Sequence, residues 1–127
     1  MTDLPDPLAF SHEWEAAWNR GDVEAVLEHF HDDAVFTSAI AWQLGFADDG
    51  VVTGKAALRA YWTTALTKNP GLHFEITAIY GGVRTLVIAY KTQAGTDRVE
   101  VLTFKDRLVI EGHGMSMVPA GAGMPLR

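Results

Sequence analysis

Apolar residues recur at helical spacing in the first part of the chain and at alternate positions in its last part. Phe10, Trp14, Ala17 and Trp18 share one face of a helix opened by Asp6-Pro7, the Asp capping free amides and the Pro preset for the first helical position. Gly21 stops that helix and Asp22 caps a second, in which Val23, Val26, Leu27 and Phe30 follow at i, i+3, i+4 and i+7. That pattern predicts a second helix ending near His31-Asp32-Asp33, then a strand at Ala34-Val35-Phe36-Thr37. Ser38 to Gly54 has a poor pattern, with a turn signal at Ala47-Asp48-Asp49-Gly50. A third helix is predicted from about Lys55 to Lys68, striped by Leu58, Tyr61, Trp62, Ala65 and Leu66 and broken by Asn69-Pro70-Gly71. Four alternating segments follow, roughly Leu72–Tyr80, Arg84–Thr92, Arg98–Phe104 and Leu108–Val118, which read as a meander of antiparallel strands.

Helices and strands are thus segregated, which predicts an α+β fold with an antiparallel sheet packed on helices. Leu86-Val87-Ile88-Ala89-Tyr90 is apolar at every position, so neither face of that strand should meet water. In the next strand Leu102 and Phe104 lie on one face and Val99 and Val101 on the other. Three short helices cover one face of such a sheet; a second copy of the chain in a twofold dimer is the simplest cover for the outer one, the alternative being one curved core with a semi-exposed outer face.

The 127 residues suit a single domain, with a core at about 7–118 and a Pro- and Gly-rich tail at 119–127. A net charge of −6, with ten scattered Lys and Arg, argues against a nucleic-acid partner. The absence of cysteine excludes disulfides, thiolate catalysis and Cys-ligated metals. The opening MTDLPDP lacks the basic and apolar regions of a secretory signal, and no apolar run is long enough to span a bilayer. A cytoplasmic protein without membrane contact is the expectation. His29-x-His31 with Asp32 has the composition of a metal site, but on the predicted helix the two imidazoles diverge, so no metal and no cofactor is expected.

Trp18-Asn19-Arg20-Gly21-Asp22, followed by Phe30-His31-Asp32-Asp33-Ala34-Val35-Phe36, resembles the opening of the nuclear transport factor 2-like superfamily, and more closely its SnoaL-like branch. Gly54-Lys55-Ala56-Ala57-Leu58 is similar to the family's third-helix opening, and the four closing strands complete the order. The resemblance runs from about Ala9 to Val118. It implies a cone-shaped α+β barrel, three N-terminal helices packed in a strongly curved antiparallel sheet. It also implies an apolar pocket inside the cone and dimers through the outer sheet face.

The same resemblance tests the chemistry. Where ketosteroid isomerases of this shape carry a first-helix Tyr, an Asp base and a late-strand Asp, this chain has Trp14, Ser38 and Glu100. One carboxyl of the set survives, so steroid isomerisation is not expected. Met115-Ser116-Met117 lacks the acid of SnoaL-type cyclases, and Ile88-Ala89-Tyr90 lacks the Arg-x-Asp of epoxide hydrolases of this fold. The candidates left are Glu100, a carboxyl flanked by Val99 and Val101, and His113, set between Gly112 and Gly114. Each has an ordinary alternative, an ion pair with Arg98 for Glu100 and a surface or satisfied core imidazole for His113. A pocket walled by Trp14, Trp18, Phe36, Ser38, Trp62, Tyr90 and Phe104, with Glu100 and His113 as its polar groups, would bind a small hydrophobic molecule. Two uses fit: cofactor-free acid–base catalysis of isomerase, cyclase or hydratase type, or binding alone as a carrier or sensor. A protein-interaction module is the third reading, and the 41–50 stretch is a candidate lid.

Overall fold

Asp6 opens the chain's first element as its spacing predicts: its carboxylate accepts from the amides of Leu8 and Ala9 at 3.0 and 3.1 Å, and Pro7 begins the helix. The computed structural model describes residues 3–119, so most of the tail assigned to 119–127 lies outside the described residues. Helix α1 (Pro7–Asn19) buries Phe10, Trp14, Ala17 and Trp18. Gly21 turns the chain at φ 69°, and Asp22 accepts from the Ala25 amide to cap α2 (Val23–Leu27).

Helix α2 is shorter than its pattern predicts. The chain leaves it before Phe30 and runs as strand β1 (Phe30–Ser38). Phe30 satisfies both periods, falling at i+7 from Val23 and at even spacing with Ala34, Phe36 and Ser38, all buried. Pairing with a distant strand decides between them, because Phe30 lies opposite Val109 and the His29 carbonyl accepts from the Val109 amide. His29 and His31 therefore straddle a helix–strand boundary instead of sharing a helix. His29 packs on the Phe10 ring, and His31 Nε2 donates to the Lys105 carbonyl at 2.7 Å.

The patternless stretch holds two short elements, α3 (Ala39–Gln43), capped by Ser38, and β2 (Val51–Thr53). Helix α4 (Lys55–Lys68) follows, then β3 (Glu75–Gly81), β4 (Thr85–Lys91), β5 (Asp97–Lys105) and β6 (Leu108–Ser116). The six strands form one open, curved sheet in the order β2-β1-β6-β5-β4-β3. With the helices inside its curve this is the cone-shaped α+β fold. The expected all-antiparallel sheet needs one correction, since β1 and β6 pair in parallel. A hairpin forces antiparallel pairing, but these strands are joined through most of the chain, and no turn fixes their relative direction. The register shifts in β1–β6, β3–β4 and β5–β6, and such bulges bend strands and add twist.

Two polar residues of α1 finish the edge of this sheet. Asn19 donates to the Phe74 carbonyl at 2.9 Å and accepts from the Phe74 amide at 2.7 Å, and Glu15 accepts from the Ile76 amide at 2.8 Å. The 72–74 segment, expected as strand, is thereby held by a helix instead of a neighbouring strand. Asn19→Ala would leave both Phe74 backbone groups unpaired. A loss of about 2 kcal/mol is expected in urea denaturation, and a loss below ~0.5 kcal/mol would mean that water replaces the amide.

Candidate functional site

The inner face of the sheet and the helices enclose a core of aromatic side chains. Phe10 meets Phe104 edge-on at 5.0 Å, Trp14 meets Tyr90 at 5.1 Å, and Trp18 and Phe36 meet Trp62 at 5.3 and 5.5 Å. Near Trp18 and Trp62 this core is not filled. A cavity of about 350 Å³ opens there, walled by Trp18, Phe36, Trp62, Phe74 and Tyr90. Ile40, Ala65 and Leu72 add apolar surface, and the exposed rim comes from Asn69 and from Gln93, Ala94 and Thr96 of the β4–β5 turn.

Polar groups deeper in the cavity include Ser38, Tyr61, Tyr90, Thr92, Arg98, Glu100 and Ser116. Glu100 is 6% exposed, in the middle of β5 opposite Ile88 and Gly114. Its Oε2 is buried and has no hydrogen-bond partner among the described residues. Loss of water pushes its pKa up to about 7, while the nearby Arg98 charge pulls it down. Arg98 Nε donates to the Tyr90 hydroxyl at 3.0 Å and its Nη1 to the Ser116 hydroxyl at 2.6 Å.

Glycine makes this arrangement possible. A Cβ on Gly114 would stand 3.0 Å from both Arg98 Nη2 and Glu100 Oε2, so the two head groups converge over a bare stretch of β6. A Cβ on Gly112 would meet the Phe36 ring at 2.7 Å. The glycines flanking His113 thus serve the inward face, and strand alternation sends His113 outward.

Ser38 ties the opposite wall. Its Oγ accepts from the Ile40 and Ala41 amides at 3.1 and 3.4 Å and lies 2.9 Å from the Tyr61 hydroxyl. If Ser38 donates in this pair, Tyr61 accepts and its own proton is free for the cavity. Tyr90 likewise accepts from Arg98 and keeps its phenolic proton. Burial holds both phenols above their usual pKa, so they stay protonated donors. Trp18 Nε1 is buried and has no hydrogen-bond partner among the described residues.

The sequence candidates separate as follows. Trp18, Phe36, Ser38, Trp62, Tyr90 and Glu100 line the cavity. Trp14 and Phe104, each 1% exposed, do not: Trp14 backs the wall behind Phe74 and Tyr90, and Phe104 lies under Phe10. His113 is on the outer face with Val101, its Nδ1 2.6 Å from Thr37 Oγ1 and its Nε2 2.7 Å from Glu111 Oε2. It does not reach the cavity, so the acid–base role considered for it there is withdrawn. The 41–50 stretch does not line the cavity either, and Phe46 packs against Tyr61 at 5.7 Å. Tyr61, Phe74, Arg98 and Ser116 are among the lining residues that the pattern does not point to. Arg98 was legible in principle, because alternation puts it on the face of Glu100.

The SnoaL-like domain family matches residues 12–117. A SnoaL-like protein of unknown function from Burkholderia thailandensis is 33% identical, with 91% of this chain and 99% of that one covered and a TM-score of 0.84. A nuclear transport factor 2-like protein of unknown function from Burkholderia pseudomallei superposes with a TM-score of 0.71 at 14% identity, over 90% of this chain and 92% of the other. A proposed polyketide cyclase from Sinorhizobium meliloti gives 0.70 at 18% identity, over 88% and 95%. These last two likenesses concern the fold. A search of curated proteins gives no significant match. With nearly its whole length matched, and with the helix order, curved sheet and aromatic cone in place, this chain belongs to the SnoaL-like family of the nuclear transport factor 2-like superfamily.

Proposed function

We propose that the cavity binds a hydrophobic small molecule and that Glu100 moves a proton on it without a cofactor, in an isomerase-, cyclase- or hydratase-type reaction. The observation that carries this reading is Glu100 in the wall of an aromatic cavity, its buried Oε2 without a hydrogen-bond partner among the described residues. A carboxyl whose pKa lies near 7 populates its acid and base forms together, which suits proton transfer at neutral pH. The Tyr61 and Tyr90 hydroxyls are the donors available to an oxygen that gains charge during such a step. Membership of a family whose fold neighbours include a proposed polyketide cyclase is consistent with it.

Intrinsic tryptophan fluorescence during a screen of hydrophobic molecules tests binding, since Trp18 and Trp62 line the cavity. Absence of any quenching or shift would sink the reading. For a ligand that is also turned over, Glu100→Gln should keep binding and lose at least about 100-fold in kcat. Binding with no turnover in the wild type would leave the carrier reading instead.

The proposed assembly is a homodimer through the outer sheet face, and the proposed location is the cytoplasm. Val87 opposite Val101 and Ala89 opposite Val99 form an apolar band on that face, extended by the exposed Tyr80 and Met115. Light scattering at micromolar concentration should give twice the chain mass; the mass of one chain would refute the dimer. Cell fractionation tests the location.

A further inference from the structure

We infer that the ligand this cavity selects is an apolar, aromatic molecule carrying one carboxylate, and that Arg98 is the residue that anchors it. The inference rests on the small-molecule reading above and names the class of ligand. Its starting point is a charge without a counter-charge. Arg98 lines the cavity, its guanidinium is permanently ionised, and among the described residues it forms no ion pair. Two of its nitrogens donate to neutral hydroxyls, those of Tyr90 and Ser116, and Nη2 donates to no described residue. Arg98 is half-buried at the cavity, and a carboxylate matches the geometry of a guanidinium whose third nitrogen is free.

Glu100 does not fill that role. Its head group shares the space over Gly114 with Nη2, yet no hydrogen bond joins them, and burial raises its pKa to about 7, so that it is mostly neutral below that pH. The remaining polar lining points the same way. The Tyr90 phenol has a proton to give once Arg98 has filled its acceptor position, and the Tyr61 hydroxyl stands on the opposite wall. Such a set of donors asks for acceptor oxygens on the ligand. A single cation suits a monoanion better than a phosphate dianion, and the flat walls of Trp18, Phe36, Trp62 and Phe74 suit an aromatic body.

Calorimetric titration of 2-naphthoate and its neutral isostere 2-naphthamide into the full chain at about pH 6 tests the inference. The wild type is expected to bind the carboxylate at least about tenfold more tightly than the amide. Arg98→Met should abolish that preference by weakening the carboxylate while amide binding stays within about threefold, and Arg98→Lys should restore part of it. Amide binding by the Met variant also reports that its cavity is intact. Equal affinity for the two probes in the wild type, or a preference that survives Arg98→Met, would overturn the inference and leave the small-molecule reading standing. Failure of both probes to bind the wild type at millimolar concentration would overturn both. Should Arg98→Met not fold, the ratio in the wild type and its change in Arg98→Lys decide the matter.

Discussion

Replacing Glu100 by Gln is expected to stabilise the protein by about 3 kcal/mol at pH 8.5 and by almost nothing at pH 4. In the unfolded chain this carboxyl releases its proton near the ordinary value of 4.5, whereas in the folded protein burial delays release to about 7. Between those values the folded state binds more protons than the unfolded state, so stability falls as pH rises. Above about 7 the whole penalty is present, and below about 4.5 both states are protonated and it vanishes. Gln has the same shape and never ionises, so the variant should not lose stability in that window. Urea midpoints of both proteins from pH 4 to 8.5 measure the difference. Curves that stay parallel across the window would mean that the ionised Glu100 is fully compensated in the folded state. A group that costs stability near neutral pH, at the same position proposed for proton transfer, fits a residue kept for function over packing.

Trp14→Ala should be the most damaging of the simple core truncations, costing about 3–5 kcal/mol. Trp14 is 1% exposed and stacks on Phe74 at 5.6 Å while meeting Tyr90 edge-on at 5.1 Å. Those two residues form part of the cavity wall, and Tyr90 also carries Arg98. The truncation therefore removes buried area and the backing that holds a binding wall in place. Denaturant unfolding measures the first effect. Under conditions where the variant is still folded, weakened binding of any ligand found for the wild type measures the second. A cost below about 1 kcal/mol would mean that the wall does not depend on this indole.

The contrast between Trp14 and Trp18 marks the limit of what periodicity conveys. Both lie on the apolar face of α1, four residues apart, and the pattern treats them alike. Which of them fronts the cavity depends on where Phe74 sits, and Phe74 is placed by Asn19 from 55 residues away. His113 failed as a site residue for a related reason. Its flanking glycines do mark a close approach, but of Phe36, Arg98 and Glu100 to the strand's other face. The end of α2 was misplaced because Phe30 fits a helix and a strand equally, and the choice is made by pairing with Val109.

The sequence by itself determined the helix starts at Asp6 and Asp22, the turn at Gly21, helix α4, the meander of four late strands and the family. Each of these rests on near neighbours, on a cap, a glycine or a period of apolar residues, so a local reading suffices. Tertiary structure alone decided the parallel pairing of β1 with β6, the hydroxyl partners of Arg98 and the convergence of Arg98 with Glu100 over Gly114. Those features depend on the register between paired strands. A shift of one residue in that register would turn every side chain of a strand to its other face.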